Sequence, residues 1–374
     1  MALSISSLTL TNFRNHADFS LVHDGACVVL TGPNGSGKTN VLEAISLFIP
    51  GRGMCRATPD EWQNRNNNAP WAVRADFKTV LGVTHIATGC DQQDQSRVLL
   101  IDGQSVKSQQ ALLDYVAMAW ITPQMDRILV EGPAARRRLL DRMIFSFDAA
   151  HAGRVHRYEK AMRERLSLLR QNCQDKSWFS GLEDDMARTG VAIAVARLQL
   201  IESLQKAIEE AHSAFPRAVL RLQGALEDRL AVSPALLVED WLRGALAESR
   251  FQDMQTQTCS VGAHRSDLVV THDAQGVRAD LCSTGEQKAL LVAVILAYAR
   301  LLENARGMKP LLLLDDITAH LDQTRRRALF EEITFLGVQA WLTGTDVAVF
   351  EPFLAQAFHC VLGKTEKEAL CVAL

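Results

Sequence analysis

The sequence predicts an α/β domain built from both ends of the chain, with a mostly α-helical domain inserted between the two halves. Three observations predict it. A glycine-rich run, Gly32 to Thr39, follows an apolar strand pattern and precedes a helical one. The centre, from about Arg127 to Met254, is helical in pattern with few breakers. Beyond Cys259 strand and helix patterns alternate again, and one apolar strand, Leu311 to Leu314, runs into two carboxylates. The expected division is 1–124 with 259–374 for the α/β domain and 125–258 for the helical arm, in keeping with 374 residues exceeding the usual size of one core.

The elements follow in order. Leu3, Ile5, Leu8 and Leu10 suggest an early strand with a slip in phase. Ala26 to Thr31 is apolar on both faces, as a strand buried inside a sheet must be. Thr39 to Phe48 then reads as a helix. From Trp71 to Ile101 the period becomes two, with Trp71, Val73, Ala75 and Phe77 on one face. Val98 to Ile101 followed by Asp102-Gly103 reads as a hairpin in an antiparallel β flap. Ala134 to Phe147, His151 to Cys173 and Leu182 to Phe215 form the helices of the arm, with no heptad register long enough for an extended coiled coil. After Cys259 come strand Leu268 to Thr271, helix Glu286 to Leu302, strand Leu311 to Leu314, helix Thr324 to Phe335 and strand Ala340 to Leu342.

Composition excludes several classes. A net charge of −3 does not suit a general polycation binder, so nucleic-acid contacts would need local basic patches. The longest apolar run, Ala289 to Ala299, is too short to span a bilayer, and the N-terminus lacks a secretory pattern. Eight cysteines are scattered with no C-x-x-C pair, which points to reduced thiols in a cytoplasmic protein rather than to zinc.

The chemistry sits in the glycine run. Gly32-Pro33-Asn34-Gly35-Ser36-Gly37-Lys38-Thr39, followed by Asn40, fits G-x-x-x-x-G-K-[ST] in the required strand–loop–helix setting. Such a loop turns its N–H groups inward as an anion nest, and the next helix adds its positive end. Lys38 would bridge the outer phosphates of ATP and Thr39 would ligate Mg²⁺. Asp315, at the carboxyl end of a buried strand, would hold that ion directly or through water, and Asp316 stands where a base would polarise the attacking water. Ser283, Gly285 and Gln287 fit the ABC-type signature S-x-G-x-Q, which completes the site of a second subunit. Thr318 to Asp322 fits the D-loop of the same ATPases. Gln124 reads either as the glutamine linking magnesium to the inserted domain or as a surface glutamine. One copy of each motif in an ABC-type P-loop ATPase head implies two chains closing on two nucleotides.

With these motifs in hand, the chain resembles the RecF family of ABC/SMC-like ATPases. Leu10-Thr11-Asn12-Phe13-Arg14-Asn15-His16, Gly32 to Glu43, Glu131-Gly132-Pro133 with Arg136 to Asp141, Gly262 to Leu268, Ser283 to Lys288 and Leu311 to Asp322 carry the resemblance in family order. It implies an ATP-dependent homodimer that binds double-stranded or gapped DNA and works with RecR and RecO, and indirectly RecA, in gap repair, replication restart and the SOS response. Departures are Ala263 and Ser266 where Pro and Asp are usual, Gly51-Arg52-Gly53 after the first helix, and Ala319-His320 before Leu321-Asp322. Thr345 in place of a transporter-type histidine, and the short carboxylate of Asp316, imply slow hydrolysis. Arg14 reads either as a nucleotide-approaching group or as a surface arginine.

Arg136, Arg137 and Arg138 open the arm, and Arg154, Arg157, Arg165 and His151 can share a face of the following helix. Arg325-Arg326-Arg327 is another basic cluster. Each reads as a phosphate-contacting patch or as a solvated face paired with glutamates. Three other functions compete: a transporter nucleotide-binding subunit, a long-arm SMC-type repair ATPase and a small-molecule kinase using the phosphate loop alone.

Overall fold

A computed structural model describes residues 3–64, 66, 69–79, 82–91, 96–211, 213–363 and the backbone of 370–372. The chain divides into two compact units, one of residues 1–126, 212–215 and 291–374, the other of 127–211 and 216–290.

The first unit holds two sheets. One has the strand order Leu370–Val372, Ala357–Val361, Cys27–Thr31, Ala340–Gly344, Leu311–Leu314 and Met118–Ile121. All its pairings are parallel except that of Leu370–Val372 at the edge. Val28, Val29, Leu30 and the four leucines Leu311 to Leu314 are fully or almost fully buried, as parallel strands covered on both faces must be. The other sheet is antiparallel, with the order His16–Val22, Ser4–Phe13, Ala72–Thr79, Gly82–Cys90, Arg97–Ile101 and Gln104–Ser105. The phase slip read in the first strand is a bulge between Ile5 and Ser7, and it keeps Leu3, Ile5, Leu8 and Leu10 all buried. Asp102 and Gly103 take φ of 48° and 79°, the paired left-handed residues that match a two-residue turn to strand twist.

Helix Lys38–Ser46 packs against strands of both sheets through Val41, Leu42 and Ile45. Gln339 fastens the sheets together. Its Oε1 accepts from Ile5 N–H at 2.8 Å and Trp341 Nε1–H at 3.1 Å. Its Nε2 donates to the carbonyls of Ile5, Gly25 and Ala26 at 2.9, 3.0 and 3.1 Å.

The second unit is built on the 34-residue helix Lys176–Glu209, capped by Asp175, which accepts from the N–H groups of Ser177 and Trp178. Met186, Ala187, Ile193 and Ala194 of this helix pack with Tyr158, Leu242 and Leu246. The unit also carries a three-stranded antiparallel sheet, Val277–Arg278, Asp267–His272 and Ala218–Gln223. Two readings are corrected here. Ala218–Gln223, inside the span read as helical, is a strand whose alternating burial is a period of two in Ala-Val-Leu-Arg-Leu-Gln. Residues 259–290, read as part of the α/β domain, group with the helical unit. The cause is that Asp267–His272 pairs antiparallel with Ala218–Gln223 over six residue pairs instead of joining the parallel sheet.

Gln339→Leu removes a buried, fully paired amide and leaves Ile5 N–H without its acceptor. We expect a loss of about 2–4 kcal/mol, from the cost of stranding buried polar groups. Chemical denaturation of the two proteins measures it.

Candidate nucleotide site

The loop from Gly32 to Lys38 leaves the central strand Cys27–Thr31 at the sheet's carboxyl edge. Two of its glycines are required by geometry. A Cβ on Gly32 (φ 148°) would lie 2.2 Å from the Leu362 carbonyl oxygen. One on Gly37 (φ 96°) would lie 2.4 Å from His16 Nε2. Lys38 Nζ donates to the carbonyls of Gly32 and Pro33 at 2.7 and 2.9 Å, curling over the loop it follows. Burial pushes its pKa down, against the pull of Asp316 and Asp315.

The acids directly follow strand Leu311–Leu314, which is separated from Cys27–Thr31 by strand Ala340–Gly344. Asp315 is buried, and Thr39 Oγ1 lies 3.0 Å from each of its carboxylate oxygens. Thr343 Oγ1 donates to Asp315 Oδ1 at 2.7 Å and accepts the N–H of Asp316 at 2.8 Å. Burial raises the Asp315 pKa, and the hydroxyls of Thr343 and Thr39 oppose the shift. Asp316 is exposed, with φ 47°. Lys38, Thr39, Asp315, Asp316, Thr343 and Thr345 line one cavity of about 300 Å³, with Asn34, Gly35, Gly37 and Asn40 of the loop. Thr343 is the residue that sequence reading misses: on the sequence it is only part of the segment replacing a transporter histidine. Pro33 is exposed at the loop's tip.

The residues fit a phosphate and a hard cation. Ser36 Oγ is buried in the loop with no hydrogen-bond partner among the described residues. The Thr39 hydroxyl and Asp315 carboxylate are the oxygen donors Mg²⁺ takes.

Other predicted residues have these places. Ser283 caps helix Thr284–Arg306: its N–H and Oγ–H donate to Glu286 Oε2 at 2.9 and 2.7 Å. Hydrogen bonds from Gln275, then from Ser283, hold the Glu286 carboxyl down at about 2. Gly285 is half-buried, and Gln287 is buried with its Nε2 donating to Cys282 O at 2.8 Å. Asp322 caps helix Gln323–Leu336 through Arg325 N–H. Gln124 is exposed on the short turn Pro123–Arg127, beside the cavity-lining Pro123. Arg14 is neither at the cavity nor a free surface group: its guanidinium forks onto Glu43 at 2.8 and 2.7 Å.

The arm arginines separate. Arg136 is buried, paired with both Asp267 oxygens at 2.8 and 3.0 Å and bonded to the Glu131 carbonyl. Arg137 donates to Ser266 O at 2.7 Å. Arg154 pairs with Asp148, whereas Arg138 and Arg157 are exposed. The shared face read for Arg165 and His151 does not form. Arg165 is fully buried between Glu183 and Asp253 at 3.0 and 2.7 Å, and His151 is fully buried against Asp141 at 3.0 Å.

A sequence-family profile described as an AAA domain matches residues 7–79. Curated proteins named DNA replication and repair protein RecF match almost end to end. That of Rhizobium etli is 42% identical over 368 residues, 97% of this chain and 98% of that one. That of Brucella suis is 44% identical over 368 residues, 97% and 96% of the two chains. The chain belongs to the RecF family. The RecF fold is seen directly in solved structures. A RecF–ATPrS structure described as a recombination mediator in the RecFOR pathway superposes with TM-score 0.84 at 22% identity, over 100% of this chain and 99% of that one. The RecF–ATP structure gives 0.80 at 23%, over 99% of each chain. The Smc head domain of Pyrococcus furiosus gives 0.56 at 16%, over 100% and 96%, so RecF chains share their architecture with SMC heads.

Thr343→Val strands the Asp316 N–H and takes one donor from Asp315. Stability should fall by about 1–3 kcal/mol, with Thr343→Ser staying within about 1 kcal/mol of the parent in the same denaturation assay.

Proposed function

We propose that this chain is an ATP-switched homodimer acting on double-stranded or gapped DNA. It serves gap repair and replication restart in the cytoplasm, with RecO and RecR, and promotes RecA loading at single-strand/double-strand junctions. The observation that carries this reading is the convergence of Lys38, Thr39, Asp315 and Asp316 on one cavity in a chain with one copy of each motif. RecF relatives at 42% and 44% identity support the pathway.

In this reading the loop N–H groups and Lys38 bind the triphosphate of ATP. Thr39 and Asp315, joined by Gln124, hold Mg²⁺, which when bound neutralises phosphate charge and orients the γ-phosphate. Asp316 orients and polarises the attacking water from the open side of the cavity. Its short side chain and the absence of a histidine at Thr345 favour slow turnover, so ATP acts as a timer. Ser283 and Gly285, at the solvent-facing start of an otherwise largely buried helix, present a hydroxyl and N–H groups to the γ-phosphate of a second copy, with Asp322 in the loop that crosses between copies. ATP then favours the dimer because those contacts exist only there. On the arm, Arg138 and Arg157 make phosphate contacts, while Arg136, Arg137 and Arg154 shape the surface that carries them.

Size analysis with ATP and Mg²⁺ tests the switch. The parent chain should shift to a dimer, and Lys38→Met and Ser283→Arg should stay monomeric, Ser283→Arg while still binding nucleotide. A parent chain that remained monomeric at saturating ATP yet hydrolysed it normally would remove the proposal. For DNA, Arg138→Glu combined with Arg157→Glu should weaken duplex binding at every sequence. The salt slope of log K should shrink by about one for each arginine replaced.

A further inference from the structure

The turn that joins strands Ser4–Phe13 and His16–Val22 lies against the phosphate loop, and its Asn15 lines the same cavity. Phe13 and His16 are the last paired residues, which leaves Arg14 and Asn15 as a two-residue turn, with Arg14 at φ 54°. The turn is fastened away from the loop as well as to it. Arg14 N–H donates to the Trp62 carbonyl at 2.7 Å. The Arg14 guanidinium forks onto Glu43, a residue 1% exposed in the helix that follows the loop.

From that anchored turn two side chains reach the loop. Asn15 Nδ2 donates to Gly35 O at 3.4 Å, and its Oδ1 accepts from Asn40 Nδ2 at 2.6 Å. His16 is buried, and its Nε2 lies 3.1 Å from Gly37 O. A carbonyl can only accept, so Nε2 carries the proton in this hydrogen bond. The same carbonyl accepts the first helical bond, from Val41 N–H at 3.0 Å.

We propose that His16, assisted by Asn15, is a positioning residue for the nucleotide phosphates. Because the peptide unit is planar and trans, fixing the Gly37 carbonyl from the helix side also fixes the Lys38 N–H, which points the opposite way. That N–H is one of the unpaired donors of a helix N-terminus, and Gly37 and Lys38 both line the cavity. Gly37 holds φ 96°, a conformation with wide backbone freedom, and the helical bond from Val41 N–H restrains its peptide from one direction. His16 adds a second restraint on the same carbonyl, so a phosphate meets donors already aimed at it. The proposal rests on the reading of the cavity as a triphosphate site.

The test uses the full chain and the equilibrium binding of a fluorescent ATP analogue and of ADP, with thermal unfolding of each variant alongside. His16→Leu should raise Kd about tenfold for both nucleotides, the scale of one missing hydrogen bond plus diminished preorganisation. His16→Gln, which keeps an N–H donor, should stay within about threefold of the parent. Asn15→Ala, at an exposed turn position, should raise Kd about threefold without lowering Tm, and it carries the test if His16→Leu fails to fold. Parent-like affinity in His16→Leu, or equal weakening in His16→Leu and His16→Gln, would overturn the proposal, as would parent-like affinity in Asn15→Ala were it the only folded variant. Lys38→Met separates the two readings: if it binds nucleotide as the parent does, the triphosphate site itself is wrong.

Discussion

Everything at the candidate site hangs on one buried carboxylate. Asp315 is 3% exposed, and burial of a carboxyl with no donors would neutralise it. Two hydroxyls answer the cost from opposite sides, Thr39 from the start of the helix after the phosphate loop and Thr343 from the neighbouring strand. The acid therefore ties together three elements distant in sequence. Strand register makes this possible: Leu314 is level with Leu342, and Gly344 with Thr31, so the residues just past each strand fall at one edge. The four leucines before Asp315 are buried on both faces, which leaves the strand no freedom to slide and bring another residue to that edge.

Much of this was legible because the site's signals are local. A glycine loop between strand and helix, and a leucine run ending in acids, each declare their geometry within a dozen residues. The phase slip in the first strand was legible too, as a bulge. What failed was long-range pairing. The strand pattern Leu268 to Thr271 is legible and lies within the observed strand Asp267–His272, but nothing in these residues says that its neighbour is Ala218–Gln223 and not the parallel sheet. The partner was hidden inside a helical stretch, where six alternating residues are too few to break the period-3.6 pattern on either side. Thr343 was missed for a related reason. A threonine after an apolar strand has no distinctive signal until the strand beside it is known to end in an acid.

Charge was the least legible property. On the sequence, the arm arginines form runs; in the fold, they divide by what faces them. Arg165 is enclosed by Glu183, Asp253 and the Leu246 carbonyl, and Arg197 by Asp141 and the Ala263 carbonyl. Partners so far along the chain cannot be read from helical spacing, which reports only i,i+3 and i,i+4 neighbours. Spacing does explain the exposed pairs Lys160–Glu164 and Arg163–Glu159, whose long separations and exposure make them worth little. Some of the arm's cations thus hold helices together inside, while others, Arg138 and Arg157 among them, stay exposed.

The loop beyond the acids shows how a short side chain can be placed with some accuracy. Asp316 takes φ 47° and His320 φ 65°, conformations in which a non-glycine residue costs about 1 kcal/mol and which aspartate tolerates better than most. The loop is held at both ends against that cost: Thr343 Oγ1 accepts the Asp316 N–H, and Asp322 caps the next helix. Leu321, 6% exposed, anchors it between them. The direction of the Asp316 carboxylate is therefore set by backbone held from both sides, with only one rotatable bond before the carboxyl group itself. A longer acid at that position would reach further into the cavity but with more freedom. At this position reach is exchanged for placement.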